Sequence, residues 1–213
     1  MELSLIEPWA LRHHGLITRA AAIEAGVSRA SWYRALASVR IEMVQPGVAR
    51  LWGSPRTRQQ RIAAAVLAIG RGAVASHRSA AFLWGVERPR DDPVDLVVAR
   101  NQRVPDLVGV EIHRPTDRID RADLVPTYRD GIAVTSPLRM LCDLAAVDPG
   151  GVATAIDHVV IAGLVPPNGP RVLVARFLAE HGLRPADFRA IIDDFDRGTE
   201  LEGRRDHGRR RSA

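Results

Sequence analysis

LITRAAAIEAGVSRASWYRALASVRIEMVQPGVARLW, residues 16–52, decides the reading of the fold. It opens as a short helix: Thr18 stands where an N-cap hydroxyl is needed, residues 20–23 supply the body, and Gly26 offers the left-handed residue that ends it. Ser28 caps a second helix in which Trp32 and Leu36, four apart, share the inward face. That placement turns Arg29, Ala30, Ser31, Tyr33 and Arg34 toward solvent. After Val39 and Arg40, residues 41–45 and 48–52 read as two strands, and Gln45-Pro46-Gly47-Val48 puts proline and glycine where a type II turn needs them. Two helices across a tight turn, followed by a β-hairpin, is the layout of a winged helix-turn-helix. A helix showing Arg, Ser and Tyr suits the major groove, because guanidinium pairs with guanine edges or phosphate and hydroxyls reach either.

The charge map agrees. Residues 1–61 hold nine arginines, at 12, 19, 29, 34, 40, 50, 56, 58 and 61, against Glu2, Glu7, Glu24 and Glu42, a net of +5 that equals the net charge of the whole chain. Such a lobe is an electrostatic footprint for phosphate. The expected division is Arg29, Ser31, Tyr33 and Arg34 for base edges and phosphate, Arg40 and Arg50 for wing contacts, and Arg56, Arg58 and Arg61 for the DNA backbone. The last three open a helix read from the cap Ser54 and first-turn Pro55, with Ile62, Val66 and Ile69 on one face and Gly70 at its end. Cations there oppose the helix macrodipole by roughly 0.3–1 kcal/mol each, which asks for an external anion. An ordinary solvated surface is the alternative for the same arginines.

The length of 213 residues allows two modest domains. No run approaches 18 apolar residues, and the Met1-Glu2 start lacks the regions of a signal peptide, so a cytoplasmic, membrane-free protein is expected. Cys142, the sole cysteine, is expected buried and inert. All 30 basic residues are arginine. The absence of lysine excludes a Walker A loop, a pyridoxal Schiff base and the usual lysine of restriction-type nuclease sites. Seven histidines are scattered without metal-ligand spacing. No catalytic residues, metal or cofactor are expected.

Farther along, Ser76 opens a helix, SHRSAAFLWG, whose buried positions are expected at Ala80, Leu83 and Trp84. His77, Arg78 and Ser79 at its start form the best candidate for a small-anion or partner site. Val94, Leu96 and Val98 alternate with Asp95 and Val97, and Val108, Val110 and Ile112 with Gly109, Glu111 and His113. Asp95, Glu111 and His113 are therefore expected on a solvent face. Asp130-Gly131 turns into a strand at 132–134. Ser136-Pro137 opens a helix with Leu138, Leu141, Cys142 and Ala145 inward, and Asp148-Pro149 opens another through Val152, Ile156, Val159 and Val160 to Gly163, on which Asp157 and His158 point about 100° apart. Residues 166–170 break the chain, 172–181 and 186–195 read as closing helices, and the Arg-rich end from Gly198 reads as a disordered tail. Residues 62–201 carry 16 arginines against 19 acids, so a basic head and tail flank a slightly acidic middle.

With these pieces in hand, the chain resembles the AbiEi-type antitoxins of type IV toxin-antitoxin systems over residues 10–165. GVSRASWYRALASVRIEMVQPGVARLWG looks like that family's winged helix, and SHRSAAFLWG with TSPLRMLCDLA looks like its second domain. The family pattern has glycine where this chain has Val39, and an aromatic where it has Ala49. Some relatives continue into a restriction-endonuclease-like domain; Thr199-Glu200-Leu201-Glu202 looks like its first turn, and the nuclease is expected to be missing. The resemblance implies a bacterial, non-enzymatic repressor of its own operon that binds its promoter and opposes a nucleotidyltransferase-type toxin. The expected organisation is α+β: a winged helix-turn-helix at 1–53, a mixed helix and strand antitoxin-like domain at 54–197, and a basic tail at 198–213. Two alternatives stay open, a one-component regulator with an anion-binding body and a truncated relic of a nuclease-like protein.

Overall fold

The computed structural model describes residues 3–114 and 126–165. It is α+β, with helices and two sheets. In the first part, α1 (Glu7–Arg12) leads into β1 (Leu16–Thr18), α2 (Arg19–Glu24), α3 (Arg29–Ala37), β2 (Ile41–Gln45) and β3 (Val48–Leu51). The strands form an antiparallel sheet in the order β1-β3-β2. Thr18 Oγ1 accepts the Ala21 N–H at 3.0 Å and Ser28 Oγ the Ser31 N–H at 3.1 Å, so both expected caps form. Gly47, with φ +73°, sits at the third turn position between β2 and β3. A core of Ile6, Ile17, Ala22, Trp32, Ala35, Ile41 and Ala49 holds these elements together.

The second part begins with α4 (Arg58–Ile69), then β4 (Val74–Ala75), α5 (His77–Leu83), β5 (Val94–Val97), β6 (Val110–His113), β7 (Thr127–Arg129), β8 (Ile132–Val134), α6 (Pro137–Val147) and α7 (Val152–Ile161). Its mixed sheet runs β6-β5-β4-β8-β7. Thr57, not Ser54, caps α4, with Oγ1 accepting the Gln60 N–H at 3.1 Å. Pro55 thus lies before the helix, a correction to its expected start. Asp130 (φ +50°) and Gly131 (φ +77°) make the tight hairpin turn between β7 and β8.

Helix α4 ties the two sheets. Ile62, Ala63, Ala64 and Ala65 are all buried, which a helix shows only when covered on more than one side. It packs on β1, β2 and β3 as well as on β4, β5 and β8. Leu16 of β1 and Val48 of β3 accordingly belong to the larger core, with Ile62, Leu96, Val134, Leu141, Leu144 and Ile156. The boundary expected at 53/54 falls in the connector before α4, and packing crosses it. Cys142 is buried in α6. The closing helices expected at 172–181 and 186–195, and the tail, lie outside the described residues.

Candidate nucleic-acid interface

The outer face of α3 is set by its buried one. Trp32 and Ala35 fill the small core and Leu36 is half-buried, leaving Arg29, Tyr33 and Arg34 exposed and Ser31 half-exposed. Arg19, first residue of α2, joins this face, with Nη1 donating to the Tyr33 hydroxyl at 3.4 Å. Arg40 follows α3, exposed, and its carbonyl accepts the Trp52 N–H at 3.0 Å. Among the described residues, none of Arg19, Arg29, Arg34 and Arg40 pairs with a carboxylate. These four arginines thus leave unneutralised positive charge on α2, on α3 and just past α3.

Three of the other arginines expected to meet DNA, Arg50, Arg56 and Arg58, are already paired with carboxylates. Arg50 is 5% exposed, pairs with Glu42 and donates from Nη1 to the Ser54 carbonyl at 2.5 Å. A wing contact by Arg50 is corrected on that ground: it sits on the inner strand of the sheet, between β1 and β2. Arg56 is exposed but shares Glu42 at 3.0 Å. The Arg50 hydrogen bond, outweighing the partial desolvation, holds the Glu42 pKa below its ordinary value. Arg58 pairs with Asp92 at 3.3 Å, donates to the Pro89 carbonyl and lies over the Phe82 ring, 4.9 Å from its centroid. Burial lowers its pKa, against the pull of Asp92. The anion that the start of α4 asks for is thus supplied by the chain itself. Arg61 stays exposed and reaches the Arg90 and Asp92 carbonyls at 3.3 and 3.5 Å.

The hairpin does not project as a free wing. Gln45, 8% exposed, donates from Nε2 to the Val108 carbonyl at 2.9 Å and accepts the Val108 N–H at 3.1 Å. Val44 packs against the larger core, and the register slips between Met43 and Gln45. Its turn end is therefore docked. The end nearer Arg40 and Trp52 is the open one.

Arg78 and Ser79 are not held free for an anion but engage Asp95 in an ionic cluster around that buried carboxylate, and His77 lies beside it. Asp95 is fully buried on the interior strand β5, where Arg78 grips it bidentately at 2.8 Å. Arg78 Nη2 also meets Glu111 at 2.6 Å, His113 Nε2 donates to Asp95 Oδ1 at 2.8 Å, and Ser79 Oγ accepts the Asp95 N–H at 2.9 Å. Burial raises the Asp95 pKa, but His113 and Arg78 outweigh it and hold it below the ordinary value, while Asp95 raises that of Arg78. The solvent face expected for Asp95 is corrected: all four residues of β5 are buried, since the strand is flanked by β4 and β6 and packed by α4 and α5. Asp95, Glu111 and His113 bring ligand-type atoms within 4.8 Å of one another, and the positive charge their carboxylates face is Arg78.

Buried His77 stacks on His113 with ring centroids 3.6 Å apart, and its Nδ1 hydrogen-bonds Ser76 Oγ at 2.8 Å. Burial, aided by His113, lowers its pKa to about 3, so the ring is neutral. Beside the cluster, Asp143 pairs with Arg139 at 2.6 Å and has an unpartnered buried Oδ2; burial pushes its pKa up to about 6. Asp157 is exposed, whereas His158 Nε2 donates to the Trp84 carbonyl at 3.1 Å, so they are no dyad. An apolar cleft of about 490 Å³, lined by Val66, Leu67, Val74, Val97, Tyr128 and Ala133 among others, opens beside the end of α4.

No established protein family and no curated protein matches this chain. Its fold is similar to that of a solved structure. The crystal structure of the RV2827C protein from Mycobacterium tuberculosis is 17% identical, covers 89% of this chain and 79% of its own, and superposes with a TM-score of 0.51. At that identity the likeness is one of fold. Arg19 joins the candidate face through a contact between α2 and α3 that periodicity within one helix does not show. The Ser28, Ser31 and Arg34 spacing of three was its neighbours' legible signal.

Proposed function

We propose that this chain is a DNA-binding antitoxin and transcriptional autorepressor whose head, residues 1–53, works as a winged helix-turn-helix with α3 as reading helix. One observation carries the DNA half: Arg19, Arg29 and Arg34 are exposed on α2 and α3, and Arg40 is exposed just past α3, all without a carboxylate partner among the described residues. Exposed arginines left without acids on a basic lobe favour a polyanion. Exposed Arg61 would add a further phosphate contact, whereas Arg50 and Arg58, paired with Glu42 and Asp92, would not. The antitoxin half, with a nucleotidyltransferase-type toxin as partner, rests on the resemblance of SHRSAAFLWG and TSPLRMLCDLA to the family's second domain.

The test is binding of the full-length protein to the DNA upstream of its own gene at a series of salt concentrations. Several arginine-phosphate contacts, each releasing a counterion, give a slope of log K against log[salt] several units negative. No complex at low salt, or a slope near zero, ends the DNA reading. For the antitoxin half, the chain is co-expressed with the protein encoded beside it. Rescue of growth from a toxic nucleotidyltransferase-like neighbour is expected, and a neighbour that is neither toxic nor opposed leaves a plain regulator.

A further inference from the structure

The α3 face is ordered beyond being basic. Ser28 Oγ donates to Ser31 Oγ at 3.1 Å, and Ser31 Oγ accepts from Arg34 Nη2 at 3.0 Å. This hydroxyl chain holds Arg34 back along the helix, toward the end that the Ser28 cap begins. Tyr33, 55% exposed, likewise holds Arg19 through its hydroxyl at 3.4 Å, tying the first residue of α2 to α3. Arg29 and Arg40 have no such side-chain tie among the described residues.

The difference has a chemical consequence. Reading guanine requires the planar fork of an arginine to meet O6 and N7 together, so the side chain must be held in one geometry. A flexible arginine gives up rotamer freedom comparable to the discrimination that such a contact provides. A phosphate oxygen accepts from many directions and asks for no such order. One hydrogen bond to a hydroxyl leaves the rest of the guanidinium's donors available.

We infer that Arg34 and Arg19 are the base-reading arginines, each aimed at a guanine edge in the major groove, with Ser31 and Tyr33 as their positioning residues. Arg29 and Arg40 bind backbone phosphate. The recognised duplex therefore presents guanine at two fixed positions. This inference rests on the DNA-binding reading above.

The experiment selects double-stranded DNA from a randomised pool with the full-length chain and its variants, then measures affinity for the selected site and its single-base changes. Wild type selects guanine at two positions. Arg34→Ala and Ser31→Ala both relax the same one, Arg34→Ala by about 5- to 150-fold in discrimination and Ser31→Ala by less. Ser31→Ala keeps the helix cap, which uses the Ser31 backbone N–H, and Ser31→Thr, which retains the hydroxyl, restores the preference. Arg19→Ala and Tyr33→Phe relax the other position. Arg29→Ala and Arg40→Ala weaken all sequences alike and flatten the salt slope by about one unit each. Binding without guanine preference, or Ser31→Ala and Tyr33→Phe that leave specificity intact, overturns this inference alone. Failure of the wild type to bind any pool DNA at low salt overturns the DNA-binding reading and this inference with it.

Discussion

Val39 carries a backbone geometry that its side chain opposes. Helices α2, α5 and α7 close with paired backbone hydrogen bonds around a left-handed Gly26, Gly85 and Gly163. Helix α3 closes the same way, with Val39 N–H to Leu36 and Arg40 N–H to Ala35, yet the left-handed residue is Val39 at φ +58°. A β-branched residue there costs roughly 1–2 kcal/mol. Val39→Gly should raise stability by about 1 kcal/mol in urea unfolding, and a loss of stability would show that the side chain packs usefully. Titration gives a second residue-scale prediction. His77, ordinarily 6.5 and about 3 when folded, favours the folded state above pH 6.5 and loses that contribution as pH falls toward 3. Asp143, ordinarily 3.8 and about 6 when folded, does the reverse: its ionisation opposes folding as pH rises from 3.8 to 6, so that contribution recovers on acidification. The two offset each other over that interval. His77→Phe should therefore expose a stability that rises on acidification, and Asp143→Asn one that falls, each by up to about 1.4 kcal/mol per pH unit. Urea midpoints between pH 4 and 6 check this, and parallel profiles for both variants would refute it.

At the scale of elements, the β2–β3 hairpin is anchored to the body at its turn end and open at the end nearer Arg40 and Trp52. Gln45→Ala removes both hydrogen bonds to Val108 and should cost about 1–2 kcal/mol, read by denaturant unfolding. An unchanged midpoint would mean that water replaces the amide without loss. This docking was not legible in the sequence, because period-two alternation tells which residues face each way and not what covers them. The same limit hid Asp95, whose place in an alternating run suggests a solvent face until the neighbouring strands and α5 are in position. What could be read was local: Thr18 and Ser28 as caps, Gly26 as a stop, Pro46-Gly47 as a turn, Trp32 as the inward side of α3. Those signals place the exposed Arg29, Tyr33 and Arg34 of the candidate interface. Strands β1, β4 and β7 are two or three residues long and too short to show a period. Ser54-Pro55 imitated a helix start three residues ahead of the true cap, Thr57.

For the whole molecule, α4 turns a basic head and a larger body into one packed unit. Leu16, 0% exposed, and Val48, 1% exposed, lie on the head's strands but in the body's core. Gln60 Nε2 donates to the His14 carbonyl at 2.6 Å and His14 Nε2 donates to the Asp130 carbonyl at 2.9 Å, bracing the same junction. Removing residues 1–53 therefore takes apolar cover from α4 itself. At about 1.5–3 kcal/mol for each large buried aliphatic side chain, losing Leu16 and Val48 alone removes about 3–6 kcal/mol. That is a large part of the roughly 5–15 kcal/mol that holds a domain folded. The chain lacking residues 1–53 should accordingly melt far below the intact protein or not cooperatively at all, while the intact protein melts in one transition seen alike by far-ultraviolet circular dichroism and tryptophan fluorescence. A truncated chain that melts cooperatively near the intact protein's temperature would restore the modular division at 53/54, and with it the possibility of testing toxin rescue on the body alone. If the single transition holds, loss of rescue by that fragment reports unfolding, and the two halves of the proposed function must be separated by surface substitutions such as Arg34→Ala.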